Sequence, residues 1–469
     1  MVATFAHNEG SPMGLTVKLA LGNVSRSVRD YSVYFATLTF AACLLYSFTA
    51  SGDYLLKLGL TPAQQATVVK AAGVTQAFSI FVVLVFAVLV AYASRFIVRR
   101  RSREFGLYAL LGMRVSRVAA VLAAEGIVVA AFALVTGLVL GVAVSPAFGV
   151  VAAFVFDVPW HLAWSFSPEA AAWCAQCFLV IQAVAVALSV RDVCATPVAV
   201  LTRRNSAPEH LRLSGPVATA LQAALAAALL AVVWGVCVLA PGMFVLLVIP
   251  LGCAAYAATS LVFRCVASWL PERLRRQPRS YFSGVRMLAA RQVEARLASG
   301  CSALSCVSVL IACAVCMVCA GLAFSVGVRL SGNAELAAGL APIGYVGIFY
   351  GESFLVAAAA VLALQQLSQA IDATGSYRTL AQLGADRAMA RSAVRSQVAV
   401  SFVAPATMAV VHDAFGLTLV ASLATGWGSA AYLPMAALTV TGTLALLALY
   451  YALTVHECER VLLADAFPA

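Results

Sequence analysis

Apolar stretches of about 20 residues recur from one end of this chain to the other. "VYFATLTFAACLLYSF" (33–48) and "VAAVLAAEGIVVAAFALVTGLVLGVAV" (118–144) are two of them. A run of that length crosses the ~30 Å hydrocarbon layer of a bilayer as a helix. In hydrocarbon a chain must satisfy its own backbone hydrogen bonds, and a single segment does that only as a helix. The chain is 63% hydrophobic and 10% charged, where soluble domains are about half apolar and a quarter charged. We therefore expect an all-α polytopic membrane protein. Ten spans are predicted, near 31–51, 75–97, 118–147, 168–190, 216–240, 243–264, 301–327, 343–368, 398–421 and 430–454.

Charge gives the orientation. With both termini in the cytoplasm, all of the 30 Lys and Arg residues except Lys57, Lys70 and Arg329 fall on the inner side, as the positive-inside rule requires. The net charge of +11 thus describes loops lying beside anionic lipid, and no soluble basic domain exists to bind nucleic acid. The first thirty residues lack an apolar core followed by a cleavage site, so no signal peptide is expected.

The spans group into a repeat. "GLYALLGMRV" (106–115) and "RTLAQLGADR" (378–387) align Gly112 with Gly384, Leu111 with Leu383, Ala109 with Ala381 and, just upstream, Phe105 with Tyr377. "LALGNVSRS" (19–27) and "LAARQVEAR" (288–296) each precede a span at the start of a half. The expected order is a cytoplasmic segment with an amphipathic lead-in helix (1–29), a first four-span unit (30–190) with a cytoplasmic helix at 99–117, and a linker (191–215). A two-span hairpin (216–264) follows, turning at Pro241-Gly242. Then come a linker with a second lead-in helix (265–300), a second four-span unit (301–454) with its cytoplasmic helix at 375–396, and a tail (455–469). A short helix is expected around 61–72 in the outer loop 52–74.

The cytoplasmic segment between spans 2 and 3 mixes arginines with apolar residues. Taken as one helix over 102–117, it puts Phe105, Tyr108, Leu111 and Val115 on one stripe, with Arg99, Arg100, Arg101 and Arg103 at the membrane edge. Such a helix either lies in the headgroups or docks into a soluble partner. The second copy, 375–396, is less basic and less apolar, which favours docking at two equivalent points.

Few polar groups lie at membrane depth. An acid inside a span costs roughly 2.5–3.5 kcal/mol on insertion scales and calls for a partner or a role. Glu125 in span 3 is one; its repeat counterpart is Gln397. Glu352 in span 8 and His412–Asp413 in span 9 are expected near the outer ends, where solvation is cheap. Cys313, Cys316 and Cys319 show metal-motif spacing, but in mid-span they read as packing residues, and a Cys174–Cys177 disulfide is disfavoured. Phe154, Phe156, Trp160, Trp164 and Phe166 read as interfacial anchors. No metal site and no catalytic constellation is visible.

The stretch "RRSREFGLYALLGMRVSRVAAVLAAEG" (100–126) resembles the signature that follows the second span of FtsX-like ABC permeases. "RDYSVYFATLTFAACLLYSF", "WSFSPEAAAW", "FLVAAAAVLALQQLSQAIDATGSYRTLAQLGAD", "VAPATMAVVHDAFGL" and "LYYALTVHECERVL" are similar to the Bce-type subfamily, the permeases linked to bacitracin and antimicrobial-peptide resistance. The resemblance implies a type VII ABC permease in a bacterial cytoplasmic membrane. Coupling helices would run through Glu104, Phe105, Leu107, Tyr108, Leu111 and Gly112, and through Tyr377, Arg378, Leu380, Leu383 and Gly384. They would seat on two copies of a separate ATPase, which would bind the ATP and Mg. No G-x-x-x-x-G-K-[ST] occurs in the chain, so no cofactor is expected in it. A sensor histidine kinase and a lipid or peptide ligand are further partners the resemblance implies. The subfamily carries a large outer domain between spans 7 and 8, where this chain has only "VRLSGNAELAAGLAP". A non-transporting signalling or scaffold protein, and a secondary transporter using Glu125, Glu352 and Asp413, are the rival readings. The topology makes a direct prediction: alkaline phosphatase inserted after Gly242 should be active, and a fluorescent protein fused after Ala469 should fluoresce. The opposite pattern would invert the orientation.

Overall fold

The computed structural model describes residues 28–57, 101–156, 166–203, 215–276, 286–330, 334–426 and 432–466, with isolated positions among 22–98 and at 164 and 332; for 28–30, 51–57 and 286–299 it describes the backbone alone. The helices are α1 (Val28–Lys57), α2 (Ser102–Leu110), α3 (Val115–Phe156), α4 (Pro168–Ala195), α5 (Val198–Arg203), α6 (Pro216–Leu239), α7 (Phe244–Arg275), α8 (Arg286–Leu322), α9 (Val328–Leu330), α10 (Ala334–Gln382), α11 (Arg387–Gly426) and α12 (Tyr432–Ala466). No strand occurs among the described residues. The protein is an all-α, multi-pass membrane protein. Among the described residues, eight helical segments are long and apolar enough to cross a bilayer, and they match eight of the ten expected spans. Span 1 is the apolar stretch Tyr34–Ala50 within α1, and most of span 2 lies outside the described residues. The first lead-in helix and the expected helix in 52–74 also lie outside them.

The chain divides into two compact units. One comprises Met1–Asp53, Val82–Pro146 and Ala163–Pro208; the other comprises Tyr54–Phe81, Ala147–Leu162 and Glu209–Ala469. The α6–α7 hairpin therefore packs as part of the second unit.

Local sequence sets where helices start. α4 begins at Ser167, whose hydroxyl accepts the Ala170 amide at 3.2 Å, with Pro168 in the first turn and Glu169 behind it. This is the N-cap pattern that satisfies otherwise unpaired amides. The Ser167 amide itself donates to the Tyr46 hydroxyl of α1 at 3.2 Å, so the helix start is fixed against span 1. The α6–α7 hairpin turns through a single 3-10 turn, Pro241–Met243, at the expected Pro-Gly pair.

With no water to expel, helices in a membrane gain mainly from close packing, which small residues permit. In the first unit α3 crosses α1 at Gly137, where an added Cβ would stand 2.6 Å from Ala42 Cβ and 2.7 Å from the Thr39 carbonyl. In the second unit α8 meets α10 backbone to backbone: a Cβ on Gly321 would stand 2.6 Å from the Ile348 amide and 2.7 Å from the Gly344 oxygen. A π-turn, Ala323–Gly327, ends α8 just beyond this contact. Three residues then separate α9 from α10. Gly321→Val should therefore force the α8–α10 pair apart and cost about 1–3 kcal/mol or more. Gly235→Ala, with nothing within 4 Å of the added carbon, should be neutral. Thermal unfolding of the detergent-solubilised variants measures both, and an unchanged midpoint for Gly321→Val would contradict the packing.

Candidate functional site

The segment 102–117 does not form one helix. α2 stops at Leu110, and α3 starts at Val115. The stop is a Schellman cap: the Gly112 amide donates to the Ala109 carbonyl at 3.1 Å and the Met113 amide to the Tyr108 carbonyl at 3.0 Å. Gly112 has φ +90°, a left-handed conformation that glycine adopts without the Cβ penalty. The second copy closes the same way. The Gly384 amide donates to Ala381 at 3.0 Å and the Ala385 amide to Leu380 at 3.2 Å, with Gly384 at φ +89°. The next helix starts at once in both halves. Arg114 offers its carbonyl to the amides of Arg117 and Val118, and Asp386 caps α11 through a 2.6 Å bond from the Met389 amide to its carboxylate. The break in 102–117 follows from Gly112, whose conformation ends α2 and reverses the chain direction.

The turn splits the expected apolar stripe. Phe105 is 1% exposed and packs with Val98, Val118, Leu122 and Val193, with Tyr108 and Met113 half-buried against this cluster. The open leucines are Leu107, Leu110 and Leu111, 53%, 67% and 77% exposed. In the second copy Tyr377 is buried, Leu380 is half-buried, and Arg378 and Leu383 are exposed. Leu111 and Leu383, equivalent in the repeat, stand at the two turn tips.

Behind α2 lies a buried ionic cluster. Arg101, in the turn leading into α2, and Glu125 in α3 are both almost fully buried. The Arg101 guanidinium donates through Nε to Glu104 at 2.8 Å, and through Nη1 to both Glu125 and the Tyr31 hydroxyl. Its Nη2 lies 2.7 Å from Glu104, and Tyr31 donates to Glu125 at 2.7 Å. The Tyr31 and Phe105 rings lie 5.1 and 5.3 Å from the guanidinium carbon, within cation–π range. Burial works against the guanidinium's charge, but the neighbouring groups, Glu125 foremost, outweigh it and hold Arg101 above its ordinary pKa. Glu125 is thus committed to an ion pair. In the second unit the equivalent ring and polar group meet directly: the Tyr377 hydroxyl donates to Gln397 Oε1 at 3.0 Å.

Other polar groups of the spanning helices lie in the second unit. A Cβ on Gly351 would stand 2.8 Å from both the Ala314 oxygen and the Val318 amide, level with the middle of the apolar stretch Gly300–Leu330. Glu352 follows it and is exposed on α10. Asp413 is buried and accepts from the Cys316 thiol at 3.6 Å, close to the same level. His412 joins the hairpin to α11. Thr259 donates to the Ala255 carbonyl at 2.7 Å and so accepts from His412 Nε2 at 2.9 Å; Trp234 Nε1 donates to His412 Nδ1 at 3.4 Å. Trp234 also stacks on Phe415, with centroids 4.2 Å apart and planes 8° from parallel. No disulfide occurs among the described residues, and no group of three or more metal-binding side chains occurs among them.

Sequence reasoning did not single out Tyr31, Trp234 or Thr259, and it treated Arg101 as one more arginine of a basic run. The Tyr31/Tyr34 pair at i, i+3 was a usable signal: Tyr34 also reaches across helices, accepting from Gln182 at 2.8 Å.

The glycine-capped turns at Gly112 and Gly384 share one cap geometry and lead at once into the long apolar helices α3 and α11. Residues 77–197 match the FtsX-like permease C-terminal family, and this part of the chain is an FtsX-like permease domain. The chain is 28% identical over 155 residues to the bacitracin export permease protein BceB of Bacillus subtilis, covering 33% of this chain and 23% of that protein. It is 27% identical over 129 residues to the corresponding protein of Halalkalibacterium halodurans, covering 27% of this chain and 19% of that one. The matches thus span less than a quarter of those relatives.

Removing one partner of a buried ion pair costs about 3–5 kcal/mol, whereas a neutral hydrogen bond contributes about 1 kcal/mol. Glu125→Ala should therefore lower the thermal midpoint of the solubilised protein far more than Gln397→Ala. Equal shifts would contradict the ionic assignment.

Proposed function

We propose that this chain is the membrane subunit of a bacterial ABC transporter in the cytoplasmic membrane, driven by a separate ATPase. One observation carries the reading. Two turn helices of the same cap geometry, at repeat-equivalent positions in the two units, each hold a leucine tip open to solvent. An exposed leucine at a rigid turn has little to gain from water and much from a socket, and two such tips suit two copies of one partner. The FtsX-like domain in 77–197 makes an ATPase the partner of choice. The positive-inside distribution of Lys and Arg puts both turns on the cytoplasmic side.

Closure of the two ATPase subunits around ATP would move the turn helices, and the spans continuous with them would carry that motion to the outer leaflet. The work done there is export or extraction of an amphipathic or lipid-linked compound. The relatives' name specifies bacitracin, but with three residues between α9 and α10 there is no outer domain at that point to select a peptide. Glu125 already pairs with Arg101, which speaks against an ion site built on it and so against a secondary transporter.

The docking face is Leu107, Leu110 and Leu111, while Phe105 belongs to the interior behind it. Leu107→Glu with Leu111→Glu, and separately Leu383→Glu, should each weaken co-purification of a co-expressed bacitracin-exporter-type ATPase by about tenfold or more, as loss of an anchor of about 2 kcal/mol would. Undiminished binding in both variants would refute the docking face.

A further inference from the structure

The two turn helices join their preceding spans differently. In the second unit α10 runs unbroken from Ala334 to Gln382, so span 8 and the turn helix are one rod. In the first unit the chain leaves helical geometry at Arg101, with φ −97° and ψ 5°, and α2 is a separate helix of 9 residues. Nine residues are too few for a helix to hold itself. The backbone at Arg101, which departs from helical geometry, is a weaker link than the unbroken rod of α10.

The side chain there reinforces the link. Arg101 stands at this joint, its amide still bonded to the Ile97 carbonyl at 3.1 Å, and its guanidinium binds Glu104 in α2, Glu125 in α3 and Tyr31 in α1. Phe105, one turn into α2, covers the same cation. At the four equivalent positions of the second unit stand Ala373, Ser376, Tyr377 and Gln397, none charged, and Ala373 lies inside the unbroken rod.

We infer that Arg101 is a positioning residue that splices the first turn helix to spans 1 and 3, replacing with a buried ionic joint the helical continuity that the second turn helix has. Its consequence for transport rests on the docking reading above; the joint itself does not. The two inputs of the permease are then unequal by construction: one is a continuous rod, the other a rod with a charged hinge pin. An ion pair of this kind contributes geometric specificity more than stability, which is what a joint requires.

Arg101→Ala alone would leave Glu125 buried without its cation and would disturb folding. The informative variant is Arg101→Met with Glu125→Gln, which removes both charges at similar volume. The full chain in lipid nanodiscs is compared with wild type by hydrogen–deuterium exchange. Amides in 102–113 should exchange about tenfold faster or more, with those in 374–385 unchanged. Unchanged exchange in 102–113 overturns the splice, and so does acceleration shared by both segments, since that reports general loosening. In the same variant a bacitracin-exporter-type ATPase should still co-purify while its ATP turnover no longer responds to the permease; a normal response overturns the mechanical role. Failure of wild type to bind that ATPase would sink the docking reading and leave the joint to be decided by exchange.

Discussion

A guanidinium shut away from water has to be surrounded by acceptors, and the first unit is arranged around that demand. Arg101 brings the start of span 1, the start of the turn helix and the inner third of span 3 to one point, because Tyr31, Glu104 and Glu125 are the groups that satisfy it. Three segments distant in sequence thereby share one fixed geometry. Desolvating both charges consumes most of what their attraction returns. The result is less a source of stability than a choice of one arrangement over others.

The second unit reaches similar ends with neutral chemistry. Its turn has the same cap, its span runs on without a break, and the Tyr377 hydroxyl reaches Gln397 where Phe105 and Glu125 stand in the first. The hairpin is clamped to span 9 by directional bonds, with Trp234 and Thr259 fixing both nitrogens of His412. Exposed ties are weaker: Arg391 and Arg395, about half open to water, both meet Glu459 of α12, and such pairs contribute about 0–1 kcal/mol. The strong specification lies where water is excluded.

The two turns carried a sequence signal that the reading of continuous helices passed over. Gly112 and Gly384 end amphipathic stretches at matching places, and a left-handed cap is the common reason for glycine there. The faces were not legible. Spacing put Phe105 and Leu111 on one stripe, and it would have been right for a helix through 102–117. The cap at Gly112 stops the helix and turns the chain, which left Phe105 inside and Leu111 in solvent. Arg101 was hidden for another reason: in a run of arginines, only the position of an acid from a distant span tells which one turns inward.

The sequence by itself determined the class of structure and where most of the spans fall. Hydrocarbon thickness, backbone hydrogen bonding and the cost of moving arginines across a bilayer are properties of composition and order along the chain. Only the tertiary structure decided which polar groups meet, which leucines stay open, that the hairpin packs within the second unit, and that Arg101 is buried while Arg103 remains in water. Those outcomes depend on how close distant helices approach, and an approach of a few ångströms decides whether a charge finds a partner or a solvent molecule.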